Sequence, residues 1–224
     1  MDEGSHNLPS TGPDQVSIDL PNDHHASFIK KVYLAMDEAV RHEINRLYDE
    51  EGIIPSCKPG CFLCCSQHIL LNITEAVFLA DYIRREFSPD QIEGLKTRTF
   101  QWHKWDETRR MRGQAEQNYE LSGAPAHGCC PMLVDGKCSA YSVRPLTCRT
   151  HYVCTSPECC GFQKNPESIK NPAVVITSVI NAANPFLVMI RNNIKSSGLD
   201  YNDSIMLLPH WLAVEMKWDF SVVS

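Results

Sequence analysis

A chain of 224 residues, 43% hydrophobic and 21% charged with 11 Gly and 14 Pro, has room for one ordinary domain and excludes collagen-like and low-complexity organisation. Its 21 basic against 27 acidic residues leave a net charge of −6, without the basic footprint of a nucleic-acid binder. Eleven cysteines are the unusual number, too few for a disulfide scaffold and too many for packing alone.

Residues 1–24 are acidic and polar, carry Pro9, Pro13 and Pro21, and read as a flexible lead. They hold neither a basic n-region nor an apolar h-region, so no signal peptide is expected. The most apolar stretch, Ala173 to Ile190, is interrupted by Asn181, Asn184 and Pro185 and reads as a buried helix pair, not a membrane span. The expected compartment is therefore the cytoplasm, where reduced thiols serve metals or catalysis instead of disulfides.

Residues 25–224 read as a single domain. From Ser27 to Glu50, apolar residues at Phe28, Val32, Met36, Val40, Ile44 and Leu47 predict one amphipathic helix stopped by Gly52. Cys57 to Cys65 (CKPGCFLCC) is too rich in Pro, Gly and Cys for a regular element and is expected as a loop. His68 to Ile73 is short and apolar and reads as extended, and a second helix is expected over Glu75 to Phe87, with Ala76, Leu79, Ala80 and Ile83 on one side. Ser88-Pro89-Asp90-Gln91 has the pattern of a capping box with Pro at the first helical position, and opens a polar helix towards Tyr119 within an insert, 88–123. From His127 to Gly161 neither period survives. The part from 171 to 220 returns to helix-like patterns cut by Pro185, Gly198 and Pro209. The expected fold is mainly α, with helices bracketing two irregular cysteine-rich loops, 57–65 and 129–160, that converge on a metal centre.

Metal chemistry follows from thiol spacing. The first loop holds Cys57, Cys61, Cys64 and Cys65; the second holds Cys129, Cys130, Cys138, Cys148, Cys154, Cys159 and Cys160. Each ligand must reach a common centre, and short loops lower the entropic cost of gathering them. Pro59-Gly60, Gly128 and Gly136 bend the chain beside the thiols. Cys129 and Cys159, each next to another Cys, read equally well as small buried apolar residues. The candidate ligands are Cys57, Cys61, Cys64, Cys65, Cys130, Cys138 and Cys148, with an eighth from Cys154, Cys159 or Cys160. Arg144 and Arg149, with Lys58 and Lys137, are expected to offset thiolate charge and hold the sulfurs by hydrogen bonds. Tyr141 is expected in the core.

The first cluster, together with the string CPMLVDGKCSAYSVRPLTCRTHY from Cys130 to Tyr152, resembles the bacterial cysteine-cluster proteins described as YkgJ-like. The resemblance covers about 95 residues, Cys57 to Tyr152, and rests most on Cys130-Pro131-x-Leu133, Cys138, Tyr141, Arg144-Pro145 and Cys148-Arg149. It departs in a first spacing of three residues instead of two, in Ala140 before the Tyr, and in the long insert between the blocks. It implies a zinc- or iron-chelating domain. The spacings between Cys130, Cys138 and Cys148 supply no second C-x2-C knuckle, which favours an iron–sulfur cluster over zinc. The flagellin lysine N-methylases are similar in their cysteine blocks, which implies S-adenosylmethionine-dependent protein methylation as one alternative, although no glycine-rich nucleotide turn is present. A purely structural zinc module is the other. Cys57-x3-Cys61-x2-Cys64 also has the spacing of radical S-adenosylmethionine enzymes, but the repeated βα units of such enzymes are missing.

Weaker signals have bland readings. His68, His127 and His151 are near enough to replace a thiolate ligand, yet such histidines usually face solvent or support other ligands. Cys154 and His151 could form a nucleophilic pair, on proximity alone. Phe100 to Trp105, followed by Arg109, Arg110 and Arg112, mixes aromatic and basic residues as single-strand binders do, but reads better as a half-buried helix face. Trp211, Leu212, Val214, Met216 and Trp218 are expected on the core. The partner expected is a metal ion or cluster, with no nucleic acid, no membrane and a protein partner left open.

Overall fold

The computed structural model describes residues 22–58, 60–111, 128–160 and 172–220. Within them the chain is mainly helical. Helix α1, Asn22–Arg46, runs on through a wider turn, Leu47–Glu51, and stops where Gly52 takes a left-handed conformation, φ 66°. The helix begins three residues inside the stretch read from sequence as a lead. Its predicted stripe is the buried one: Val32, Met36, Val40 and Leu47 are buried, joined by Ile29 and Tyr33.

Strand β1, Leu70–Asn72, leads directly into α2, Ile73–Glu86. Asn72 caps that helix: its side chain accepts from the Glu75 amide at 3.1 Å while Glu75 reaches back to the Asn72 amide at 3.5 Å. Ala76, Leu79, Ala80 and Ile83 are all buried. Helix α3, Pro89–Met111, starts with the one capping box expected from the sequence: the Ser88 amide donates to Gln91 Oε1 at 2.8 Å and the Gln91 amide to Ser88 Oγ at 3.3 Å. Its expected continuation to Tyr119 lies outside the described residues. Trp102 is 2% exposed and Phe100, His103 and Trp105 are half-buried, as expected of a half-buried helix face.

Between 128 and 160 lie a small hairpin, β2 (Leu133–Val134) and β3 (Lys137–Cys138), and a one-turn helix, α4 (Leu146–Thr150). Neither element was expected. The hairpin has a readable signal: Asp135 and Gly136 take φ 49° and 72°, the two left-handed positions of the tightest hairpin turn, which Asp-Gly favours. Periodicity fails here because two-residue strands and a five-residue helix are shorter than any period that could announce them.

Helix α5, Thr177–Ser196, corrects the expectation of a buried helix pair, since one continuous helix passes through Pro185. Pro185 and Asn181 both lie on the exposed side, where water can reach the carbonyl left without an amide partner. Only one stripe of α5 is buried: Val179, Ala183, Ile190 and Ile194 pack inward, while Ile180, Val188 and Met189 are exposed. Strand β4, Ile205–Leu207, pairs antiparallel with β1, Leu71 opposite Met206, and leads into α6, Leu208–Glu215. Pro209 sits in the first turn of α6, where its missing amide costs little. Trp211 and Leu212 are buried, Met216 and Trp218 pack against the core, and Val214, at 51% exposed, does not.

The core forms where α1 packs on α5 and α2, and α2 on α6. Among the described residues no helix is long and apolar enough to cross a membrane.

Candidate metal centre

Both cysteine segments are held by turns rather than by long elements. In the first, the Cys61 amide bonds the Lys58 carbonyl at 3.0 Å, and a 3-10 turn, Leu63–Ser66, sets Cys64 and Cys65 side by side. In the second, the β2–β3 hairpin presents Cys138, with Ser139 bonding the Met132 carbonyl through both its amide and its hydroxyl. Pro145 then starts α4, which carries Cys148. The two segments are stitched at both ends. The Cys130 amide donates to the Cys65 carbonyl at 2.7 Å, and the Ser56 amide to the Val153 carbonyl at 2.9 Å.

As a result, Cys61, Cys64 and Cys65 from the first segment and Cys130, Cys138 and Cys148 from the second line one cavity of about 530 Å³. Arg144 and Lys137 share its wall, as do His68, His151, Phe62 and Tyr141, and among the described residues no carboxylate does. Cys57 and Cys160 stand beside it: burial raises the pKa of each, with Cys61 and Cys64 adding to it at Cys57, and Cys57, Cys64 and Cys61 at Cys160, which reaches about 11. Cys154 is exposed and directs its thiol to the Val174 carbonyl at 3.6 Å, away from the others. Cys129 is half-buried and Cys159 is buried. Among the described residues, no group of three or more His, Cys, Asp or Glu side chains is gathered tightly enough to hold a single metal ion.

The thiols differ in how readily they ionise. Cys65 donates to Cys64, so Cys64 falls to about 7, helped by the Arg144 guanidinium, while Cys65 keeps the proton and is raised. Burial, with neighbouring thiols adding to it, raises Cys130 to about 12 and Cys148 well above its ordinary value. Arg144 is the cation common to this set: its charge favours thiolate at Cys57, Cys64, Cys138 and Cys148. It takes the extended backbone expected before Pro145, and its guanidinium lies 4.3 Å from the Tyr141 ring centroid. Tyr141 is therefore a half-exposed wall residue and not a core residue.

Arg149 does something different from what was expected. It is 4% exposed and bonds the carbonyls of Arg144 and Ser142 and the Asp37 carboxylate, with its guanidinium 4.1 Å from the Tyr33 ring centroid. It braces the backbone that carries Arg144 instead of turning to the sulfurs, because its planar fork matches two carbonyls and a carboxylate converging on it.

Glu75 went unnoticed in the sequence. It is 4% exposed and accepts from the Tyr33 hydroxyl at 2.8 Å, the Leu146 amide at 2.7 Å and Asn72 Nδ2 at 2.7 Å. It thus ties α1 and α2 to the first amide of α4, two residues before Cys148. Its position was readable as an acidic residue one turn before Leu79 on the buried stripe of α2. His68 packs edge-on against Trp102 and Trp105, at 5.9 and 6.1 Å between ring centroids. His127 lies outside the described residues. His151 presents an Nε2 that is buried and without a hydrogen-bond partner among the described residues, and burial lowers its pKa.

The donors on the cavity wall are, in chemical type, those of a thiolate-bound centre. Cysteine sulfur is the ligand that zinc and iron–sulfur clusters share, and the adjacent arginine and lysine can offset the charge of several thiolates. Cys61, Cys64, Cys65, Cys130, Cys138 and Cys148 could hold such a group, with Cys57 and Cys160 next to them. No family model, characterised protein or solved structure matches the chain.

Proposed function

We propose that this chain is a metal-binding cysteine-cluster protein whose centre is an iron–sulfur cluster, with zinc as the competing occupant. One observation carries the reading: three thiols from each of two segments separated by more than sixty residues wall a single cavity of about 530 Å³. Six half-buried thiols round a space of this size, with Arg144 and Lys137 and no carboxylate on the described wall, supply the soft donors and the balancing cations that a thiolate-bound centre needs. The resemblance of the two blocks to YkgJ-like proteins supports the same conclusion.

The test is metal content, acid-labile sulfide and a visible spectrum on protein purified without oxygen. A coloured sample with iron and sulfide in equal amounts supports the cluster; a colourless sample with zinc moves the reading to a zinc protein; no metal in either form overturns it. Cys130→Ser distinguishes the arrangement: half the metal lost means two sites, all of it lost means one. Saturable S-adenosylmethionine binding by the loaded protein would turn the reading towards a methylase.

A further inference from the structure

We propose that His151 is a ligand of this centre through its Nε2, so that the site has mixed thiolate and imidazole ligation. The inference rests on the metal-centre reading above and adds a donor from outside the cysteine set. His151 follows the last turn of α4 with an extended backbone, three residues after Cys148, and both residues line the same cavity. Its main chain is held independently of the ring. The carbonyl receives the Cys57 thiol at 3.9 Å, the following residue's carbonyl receives the Ile176 amide at 2.8 Å, and Val153 pairs with Val175. The backbone therefore fixes where His151 stands, on the cavity wall that the six thiols also line.

That ring nitrogen is the anomaly. Nε2 is out of solvent and has no hydrogen-bond partner among the described residues. A buried polar atom without a partner is costly, and such atoms in native proteins usually have a role. A neutral imidazole offers one lone pair at a ring nitrogen, the commonest nitrogen ligand for metals. An unpartnered Nε2 on the wall of a cavity holding six thiols is accounted for if a metal supplies the partner. The consequence is electronic. An imidazole carries no charge where a thiolate carries one, so a centre with one histidine ligand is easier to reduce than its all-cysteine counterpart, as when histidines replace cysteines on one iron of a cluster.

The experiment uses the full chain, purified without oxygen and grown with 15N-histidine. If the centre is iron–sulfur, the dithionite-reduced protein is measured by pulsed electron paramagnetic resonance; if it is zinc, X-ray absorption at the zinc edge counts nitrogen and sulfur scatterers. The expected result is a directly coordinated nitrogen in the wild-type protein that disappears in His151→Ala. For an iron–sulfur centre, His151→Cys should also keep the metal and shift its midpoint potential downward. The wild-type measurement stands even where a variant folds poorly. Sulfur-only ligation of a bound metal, or a nitrogen signal that persists in His151→Ala, overturns the role of His151 and leaves the metal centre intact. Absence of any bound metal overturns both.

Discussion

Replacing Glu75 tests whether the second cysteine segment is anchored to the helical core by one carboxylate. Glu75→Ala leaves the Tyr33 hydroxyl and Asn72 Nδ2, each in a residue 3% exposed, without an acceptor, and removes the only side-chain acceptor seen for the half-buried Leu146 amide among the described residues. A stranded buried donor costs roughly 1–3 kcal/mol, so two of them together with the small void amount to about 3–5 kcal/mol. Glu75→Gln should cost only about 1 kcal/mol. The Tyr33 and Leu146 bonds both fall on Oε1 and can persist, and only the contact with Asn72, which uses Oε2, must rearrange. Urea unfolding followed by tryptophan fluorescence measures both, provided the slopes with denaturant agree. The Ala variant should also expose Cys148 to alkylation, since the first turn of α4 loses its tie. If Ala and Gln variants lose the same stability, or if Cys148 stays protected in both, the anchoring argument is wrong.

The same carboxylate gives a pH dependence. Burial raises the Glu75 pKa above its ordinary 4.5, outweighing the hydrogen bonds from Leu146 and Tyr33. The folded chain then keeps a proton that the unfolded chain has already released, so this group's contribution to stability falls as pH rises through that interval. Glu75→Gln should flatten that part of the stability profile, and an unchanged slope just above pH 4.5 would count against it. In the core, Ile83→Ala, at a side chain 0% exposed, should cost about 2–5 kcal/mol. Leu34→Ala, at 64% exposed, should stay within about 0.5 kcal/mol, and equal losses would refute the placement of α1 and α2. In metal-free protein at neutral pH, iodoacetamide should modify Cys64, at about 7, well before Cys130, at about 12, because only thiolate reacts. Peptide mass spectrometry resolves the order, and the reverse order would mean that Cys65 and Arg144 do not favour the Cys64 thiolate.

Much of the framework is legible in the order of residues. The steps of three and four from Val32 to Leu47, the cap at Ser88 with Gln91, and the stop at Gly52 are local, and each reports a helix boundary or face within a few turns of itself. The break at Pro185 misled because an interior proline is better tolerated where the freed carbonyl can reach water, and the exposure of Asn181 and Pro185 is a tertiary property. Cys154 and Cys160 were equal candidates in the sequence. The contact between Val153 and Val175 turns one strand so that Cys154 faces outward, while the 3-10 turn Pro157–Cys159 brings Cys160 beside the first cluster. Arg144 and Arg149 were likewise a matched pair, and only the positions of Asp37 and Tyr33 on a distant helix assign the second to bracing the first. The faces and starts of the long helices α1 to α3 and the supply of thiols were legible in the residue order, because periodicity, caps and composition are local. Which thiols share a cavity, which cation faces them, and which nitrogen is left without a partner were decided by the packing of α1, α2 and α5 around the two stitched segments, since burial and proximity arise only from contacts between residues far apart in the chain.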